Sequence, residues 1–172
     1  RLGLDKPKGT LNVGVNKDLF LFGQLIRNLL DVVDMTGAYV PLYIMTSDKN
    51  NEDTVAFFEE HNYFGYDKDY VKFFIQSMVP SVDYNGKLYM ESTDSLAMSP
   101  NGNGGWFLSL MAAGLDKDME EKGVEYVNVF AVDNILQRIA DPAFIGATMI
   151  AGAECGSKVV RKCEPEEKVG VM

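Results

Sequence analysis

Apolar side chains recur at spacings of three and four from Leu19 onward: Phe22, Ile26, Leu29, Leu30 and Val33 follow in turn. That spacing predicts one buried helix face, with Asp18 as the expected N-cap and Gly37 as the stop. The pattern then shortens. Val40 to Met45 is a brief apolar run that reads as a buried strand, with Pro41 tolerated near its start. Asn51 to Asn62 carries acidic positions outside and Val55 and Phe58 inside, a second helix, and Val71 to Ser77 is a second strand. Asn85-Gly86 joins Val82-Asp83-Tyr84 to Lys87-Leu88-Tyr89, and such a pair between two runs predicts a tight hairpin. After Ser99-Pro100-Asn101-Gly102-Asn103-Gly104-Gly105, the residues Phe107, Leu110, Met111 and Leu115 return to helical spacing. Tyr126 to Val132 is apolar except for Asn128, as a strand buried on both faces would be. A short helix over Pro142 to Ala151 and two last strands, Lys158 to Lys162 and Val169 to Val171, complete the pattern.

Strand and helix patterns alternate, so the expected class is α/β: a mixed, mostly parallel sheet with helices on both faces and a β-hairpin insertion. Neither a repeat nor an internal linker interrupts the chain, and residues 1–172 read as one domain. The chain opens on Arg1, inside a loop rich in glycine and lysine, and so reads as a fragment.

Composition narrows the function classes. The chain is 47% hydrophobic and 24% charged, enough apolar matter for a packed core, which sets disorder aside. Its net charge of −9 argues against nucleic acid as a partner, since a general binder needs a basic face. No apolar run is long enough to span a membrane, so no membrane partner is expected. Cys155, Cys163 and the single His61 are too few and wrongly spaced for a metal site, and all three read as structural. Two neighbouring cysteines make no disulfide framework, and a cytoplasmic setting is expected.

The charge is uneven, however. Residues 1–10 hold three cations and one acid, whereas residues 47–69 hold seven acids and two bases. In open α/β sheets ligands gather at the carboxyl ends of strands. Four segments fall at or near such ends: the opening loop with Arg1, Lys6 and Lys8; Gln76; the glycine-rich loop at 99–105; and Asp133. Glycines and cations suit a phosphate group, and a lone carboxylate suits Mg²⁺ with water and phosphate completing its shell. Each segment also has an ordinary reading, as a solvated loop, a helix entry or an Asx turn. Together they point to a phosphorylated ligand. A dinucleotide-binding oxidoreductase is disfavoured, because neither glycine cluster has the G-x-G-x-x-G spacing after a first strand.

RLGLDKPKG resembles the end of the signature G-G-x-G-T-R-L-G-x-x-x-P-K-G of the UDP-sugar pyrophosphorylases. VPLYIMTS, EEHNYFGYDKDYVKFFIQSMVP, SPNGNGGW, FAVDNIL, ADPAFIG and ECGSKVVRK follow in that family's order. The resemblance is nearest to the UDP-N-acetylhexosamine branch, where the second loop reads P-D-G-N-G-G; the UDP-glucose branch has P-x-G-H-G-D. Asn101, Trp106 and Phe107 depart from the branch pattern. The resemblance implies a Rossmann-like nucleotidyltransferase fold, truncated here at both ends. It implies a uridylyltransferase that makes UDP-N-acetylglucosamine and pyrophosphate from UTP and N-acetylglucosamine 1-phosphate with Mg²⁺. By position, Arg1 and Lys8 would lie along the triphosphate, and Gly3, Gln76 and Gly102 would belong to the nucleotide site. Asn103 and Gly170 would line the sugar site, and Asp133 would hold the metal. The same chemistry on glucose 1-phosphate, and a non-catalytic UTP or UDP-sugar binding module, are the alternatives.

Overall fold

The helix predicted first is α1, Leu21–Thr36, and it buries Leu21, Phe22, Leu25, Ile26, Leu29 and Val32. In this computed structural model, residues 6–167 are described. Gly37 ends α1 as expected: its φ of 72° is left-handed, and its N–H donates to Val33 O. Asp18 is not the cap. Phe20 occupies that position with extended backbone, while Asp18 Oδ1 accepts from Asn12 Nδ2 at 2.6 Å. Asn12 Oδ1 also takes the N–H groups of Gly14 and Leu19. Asp18 therefore helps to close the preceding loop rather than to start the helix.

Strands β1, Leu42–Thr46, and β2, Val71–Ile75, pair in parallel, with Leu42 opposite Val71 and Ile44 opposite Phe73. Between them lies α2, Asn51–Glu60, which buries Thr54 and Phe58. Phe58 is fully buried, with ring centroids 4.9 Å from Phe22 and 5.3 Å from Phe73. Leu42, Ile44, Val71 and Phe73 all join this α1–α2 cluster. Because side chains alternate along a strand, Phe74 points to the other face. It is buried there, outside that cluster, and α3, Trp106–Ala112, packs against β2. Helices thus cover both faces of the parallel pair. After Gly114 in left-handed conformation comes α4, Leu115–Glu121. It is tied to β1 by Tyr43, whose hydroxyl donates to Asp118 Oδ2 at 2.6 Å. Burial, helped by that carboxylate, pushes the Tyr43 phenol upward.

The turn after α2 is strained. Asn62, Tyr63 and Phe64 have φ of 48°, 51° and 53°, and left-handed backbone costs roughly 1–2 kcal/mol per ordinary residue. Aromatic contacts offset that cost. Phe64 meets Phe58 edge-on at 5.8 Å and stacks on His61 at 5.1 Å. His61 therefore has the structural role expected for it, with Nδ1 2.9 Å from Phe57 O.

The insertion between β2 and α3 is antiparallel. Strands β3, Met78–Pro80, and β4, Met98–Pro100, pair with Met78 opposite Pro100. At its tip the expected two-residue link becomes three residues, Tyr84-Asn85-Gly86. Only Gly86 is left-handed, at φ 80°; Asp83 N–H bonds Lys87 O, and Asp83 Oδ1 accepts from the N–H groups of Asn85 and Lys87. An Asp able to bridge the loop favours this type of turn followed by a bulge.

Two expected strands are not formed. Tyr126 to Ala131 has no regular structure and Val132 begins a turn, with Val127 and Val129 exposed. Phe130 and Val132 rest against the core, and Asn128 Oδ1 accepts from Ala140 N–H. An apolar run becomes a strand only beside another strand, and among the described residues β1 and β2 pair only with each other. Lys158 to Lys162 is likewise irregular, exposed as far as Arg161 and half-buried at Lys162. The chain divides into two compact units that change over between Ala140 and Asp141. The second contains α5, Pro142–Ile150, where Asp141 caps the helix through Ala143 N–H and also accepts from Lys158 Nζ at 2.7 Å. The strand expected at Val169 to Val171 lies outside the described residues. Among those described, no helix is long and apolar enough to cross a membrane.

Tyr66 supplies a test of the core. It is 4% exposed, and its hydroxyl donates to Val40 O at 2.7 Å and accepts from Val40 N–H at 2.9 Å. Tyr66→Phe leaves both groups of Val40 unpaired and is expected to cost about 1–3 kcal/mol in denaturant unfolding. Burial pushes the phenol up to about 12. A folded-state value raised above the ordinary one makes its contribution complete below about pH 10 and lost as pH rises through 12. The wild-type protein should therefore lose more stability over that interval than Tyr66→Phe does; parallel loss would contradict this role.

Candidate functional site

The opening loop is anchored by packing. Pro7 and Gly9 are buried, and a Cβ on Gly9 would lie 2.2 Å from the Phe22 ring. Only glycine permits that approach, so the missing side chain of Gly9 serves the core. Lys8–Thr10 forms a 3₁₀ turn, with Thr10 N–H on Pro7 O and Leu11 N–H on Lys8 O. This turn aims the Lys8 side chain outward. Its Nζ donates to Asp133 Oδ2 at 3.0 Å, across 125 residues.

Asp133 follows Phe130 and Val132, whose contacts with the core hold the segment down. Gln137 Nε2 then bonds Ala131 O, and Asn28 of α1 donates to Gln137 O. The hydrogen bond from Lys8, followed by a backbone bond of its own, holds the Asp133 carboxyl below the usual carboxylate range. Lys8 and Asp133 are 47% and 53% exposed, so both remain open to a ligand.

Gln76 is half-buried just beyond β2, where its N–H donates to Thr46 O at 2.9 Å. The glycine-rich loop reaches the same place, since Asn101 N–H donates to Ser77 O at 3.0 Å. Gly102 has φ 81° and ψ 163°, a region essentially reserved for glycine. A Cβ there would meet no atom within 4 Å, so the space above Gly102 is open. Asn103 is exposed in the 3₁₀ turn Asn103–Gly105 that leads into α3.

Two groups of the expected residues are thus brought together: Lys8 with Asp133, and Gln76 with the Gly102–Asn103 loop. Arg1, Gly3 and Gly170 lie outside the described residues. The fastening of the second group was not foreseen. Ser77 N–H donates to Ser109 Oγ at 3.1 Å, and the only trace in the sequence is a Ser within the apolar run of α3. A cleft of about 310 Å³ between the start of α1 and Phe64 contains none of the expected site residues.

The family model described as UTP–glucose-1-phosphate uridylyltransferase matches residues 1–172. The chain belongs to this family. Its relatives in the family include the mouse UDP-N-acetylhexosamine pyrophosphorylase-like protein 1, 44% identical over 178 residues, with all of this chain and 35% of the relative covered. The UDP-N-acetylglucosamine pyrophosphorylase of Saccharomyces cerevisiae is 40% identical over 177 residues, covering all of this chain and 37% of the yeast protein. The chain spans a little over a third of the length of these curated relatives. The uridine diphosphate N-acetylglucosamine pyrophosphorylase of Trypanosoma brucei, solved with an inhibitor, superposes at a TM-score of 0.76 and 33% identity. That match covers 89% of this chain and 33% of the other.

Asp133 suits the Mg²⁺ expected from the sequence in kind, because an ionised carboxylate is the hard oxygen donor that this ion takes. Among the described residues no group of three or more His, Cys, Asp or Glu could hold an ion. Asp133 would therefore serve as a single protein ligand, with phosphate and water completing the shell. Half-exposed ion pairs contribute only about 0–1 kcal/mol, so Lys8→Ala should shift unfolding by less than about 1 kcal/mol at neutral pH. The stabilisation that a lowered carboxylate confers is present above its ordinary value and lost as pH falls through the folded one. Any difference between Lys8→Ala and wild type should accordingly vanish in acid; thermal melts across pH check both points.

Proposed function

We propose that the full-length protein is a uridylyltransferase that forms UDP-N-acetylglucosamine and pyrophosphate from UTP and N-acetylglucosamine 1-phosphate. A phosphate oxygen of the sugar phosphate attacks the α-phosphorus of UTP. The bond from that phosphorus to the β-phosphate bridging oxygen breaks, and pyrophosphate leaves. Such a transfer needs two polyanions held in line and their charge neutralised, with no covalent nucleophile. The observation that carries this reading is the contact of Lys8 Nζ with Asp133 Oδ2 at 3.0 Å: a phosphate-neutralising cation and a metal-type carboxylate meet at one point. The names of the mouse and yeast relatives support the N-acetylated sugar.

In this reading Lys8, with Arg1, neutralises the triphosphate, and Gln76 hydrogen-bonds the uracil edge. Gly102, in the same nucleotide site as Gly3, lets the base approach the backbone. Asn103 and Gly170 contact the sugar. Asp133 holds Mg²⁺, which when bound supplies further neutralisation of the phosphates. The exposed free thiols of Cys155 and Cys163 support a reducing compartment and hence the cytoplasm. A second reading, the same transfer to glucose 1-phosphate, is favoured by the description of the family model.

Pyrophosphate release by the full-length protein, measured with UTP and each sugar phosphate, separates the two readings. The N-acetylated sugar should react faster; preference for glucose 1-phosphate establishes the second reading. In the same assay Lys8→Ala should lower kcat/KM by about 10²-fold, and Asp133→Asn should raise the Mg²⁺ concentration needed for half-maximal rate. Unchanged metal dependence would remove Asp133 from the metal site.

A further inference from the structure

Ser109 is a polar side chain in an apolar setting. It lies on α3 at 3% exposure, beside Leu110 at 1%. A buried hydroxyl is unfavourable unless it is hydrogen-bonded. Its partner belongs to another element: Ser77 N–H donates to Ser109 Oγ at 3.1 Å, and the two hydroxyl oxygens are 3.4 Å apart. Ser77 needs such a partner because alternate amides along a strand face opposite edges. Gln76 N–H faces β1 and bonds Thr46 O, so Ser77 N–H faces the other edge of β2, where no strand pairs among the described residues. The carbonyl of Ser77 is engaged as well, accepting from Asn101 N–H at 3.0 Å. Ser77 is therefore held from both sides, by the residue before Gly102 and by the helix that follows the glycine-rich loop.

Gln76 and Gly102 are thereby fixed relative to one another through a junction in which, among the described residues, Ser109 is the only side-chain partner of the Ser77 amide. We propose that Ser109 is a positioning residue for the nucleotide base, holding the end of β2 and the glycine-rich loop as two walls of one base site. This rests on the base-reading role given to Gln76 and Gly102 above. Ser109 has no part in phosphate binding, which falls to Lys8 and the opening loop. Losing its hydroxyl frees the Ser77 amide and releases the junction from α3, so that only the Asn101–Ser77 bond and the β3–β4 pair still relate the two walls. Discrimination between bases should suffer while attraction for phosphate does not.

Calorimetry on the full-length protein with UTP, CTP and inorganic tripolyphosphate tests this. Ser109→Ala should weaken UTP by about fivefold to tenfold, the scale of one lost partner for a partly buried amide. It should also shrink the UTP-to-CTP ratio and leave tripolyphosphate unchanged. Ser109→Thr, which keeps a hydroxyl, should retain the ratio. If Ser109→Ala does not fold, Ser109→Cys, whose sulfur is a weak acceptor, should show the same loss of ratio. Equal weakening of all three ligands, or an unchanged ratio, overturns the proposal. Gln76→Ala tests the underlying reading separately. If it abolishes the ratio and Ser109→Ala does not, only the positioning role fails; if it leaves the ratio intact, the base-reading role fails and the proposal with it.

Discussion

The packing of Phe58 between α1 and the parallel pair is the contact on which the rest of the first unit depends. Its ring is fully buried against Phe22 of α1 and Phe73 of β2, and each contact leads to one half of the candidate site. Phe22 leads to Gly9, since the ring leaves no room for a Cβ there, and Gly9 sets the turn that carries Lys8. Phe73 leads along β2 to Gln76, two residues beyond Phe74. Aromatic pairs of this kind add about 0.5–1.5 kcal/mol each beyond simple burial. Their directional geometry also constrains where α1 and β2 lie, which burial alone would not do.

This dependence accounts for what could be read from the sequence. Local periodicity was legible because it records which face is buried: the apolar face of α1, its Gly37 stop, β1, α2 and β2 all appear near their expected positions. Asp18 misled because it has two competing uses. A carboxylate ahead of a helix can cap it, but Asn12 binds this one first. Tyr126 to Val132 misled for a deeper reason. Apolar content marks a segment for burial, whereas a strand also requires a neighbour, and pairing is a non-local property. Phe130 and Val132 do find the core; the backbone between Tyr126 and Phe130 finds no ladder.

The candidate site divides along the same line. Lys8, Gln76, Gly102 and Asp133 stood out because their residue types carry chemistry, and strand ends are where such types matter. That Lys8 and Asp133 touch could not be seen in a sequence where 125 positions separate them. Ser77 and Ser109 were invisible for the opposite reason. Serine is ordinary anywhere, and only its burial at 3% together with an amide lacking a strand partner gives Ser109 a meaning.

Exposure of the Lys8–Asp133 pair fits its position better than burial would. A buried pair would require several kcal/mol to separate, because each charge would be left desolvated. Here each partner is about half exposed, and such pairs contribute roughly 0–1 kcal/mol. The two charges hold each other in place and keep the carboxylate ionised, yet a polyanion or a cation can separate them at small cost. The same logic resolves the acidic total of −9. Acidic side chains at 47–69 sit largely on α2 and the following turn, whereas Lys8 stands in a turn fixed by Gly9 and Phe22. Screening confines exposed charges to about 8–10 Å, so the charge that a phosphate group would meet depends on the groups around Lys8 and not on the net charge of the chain.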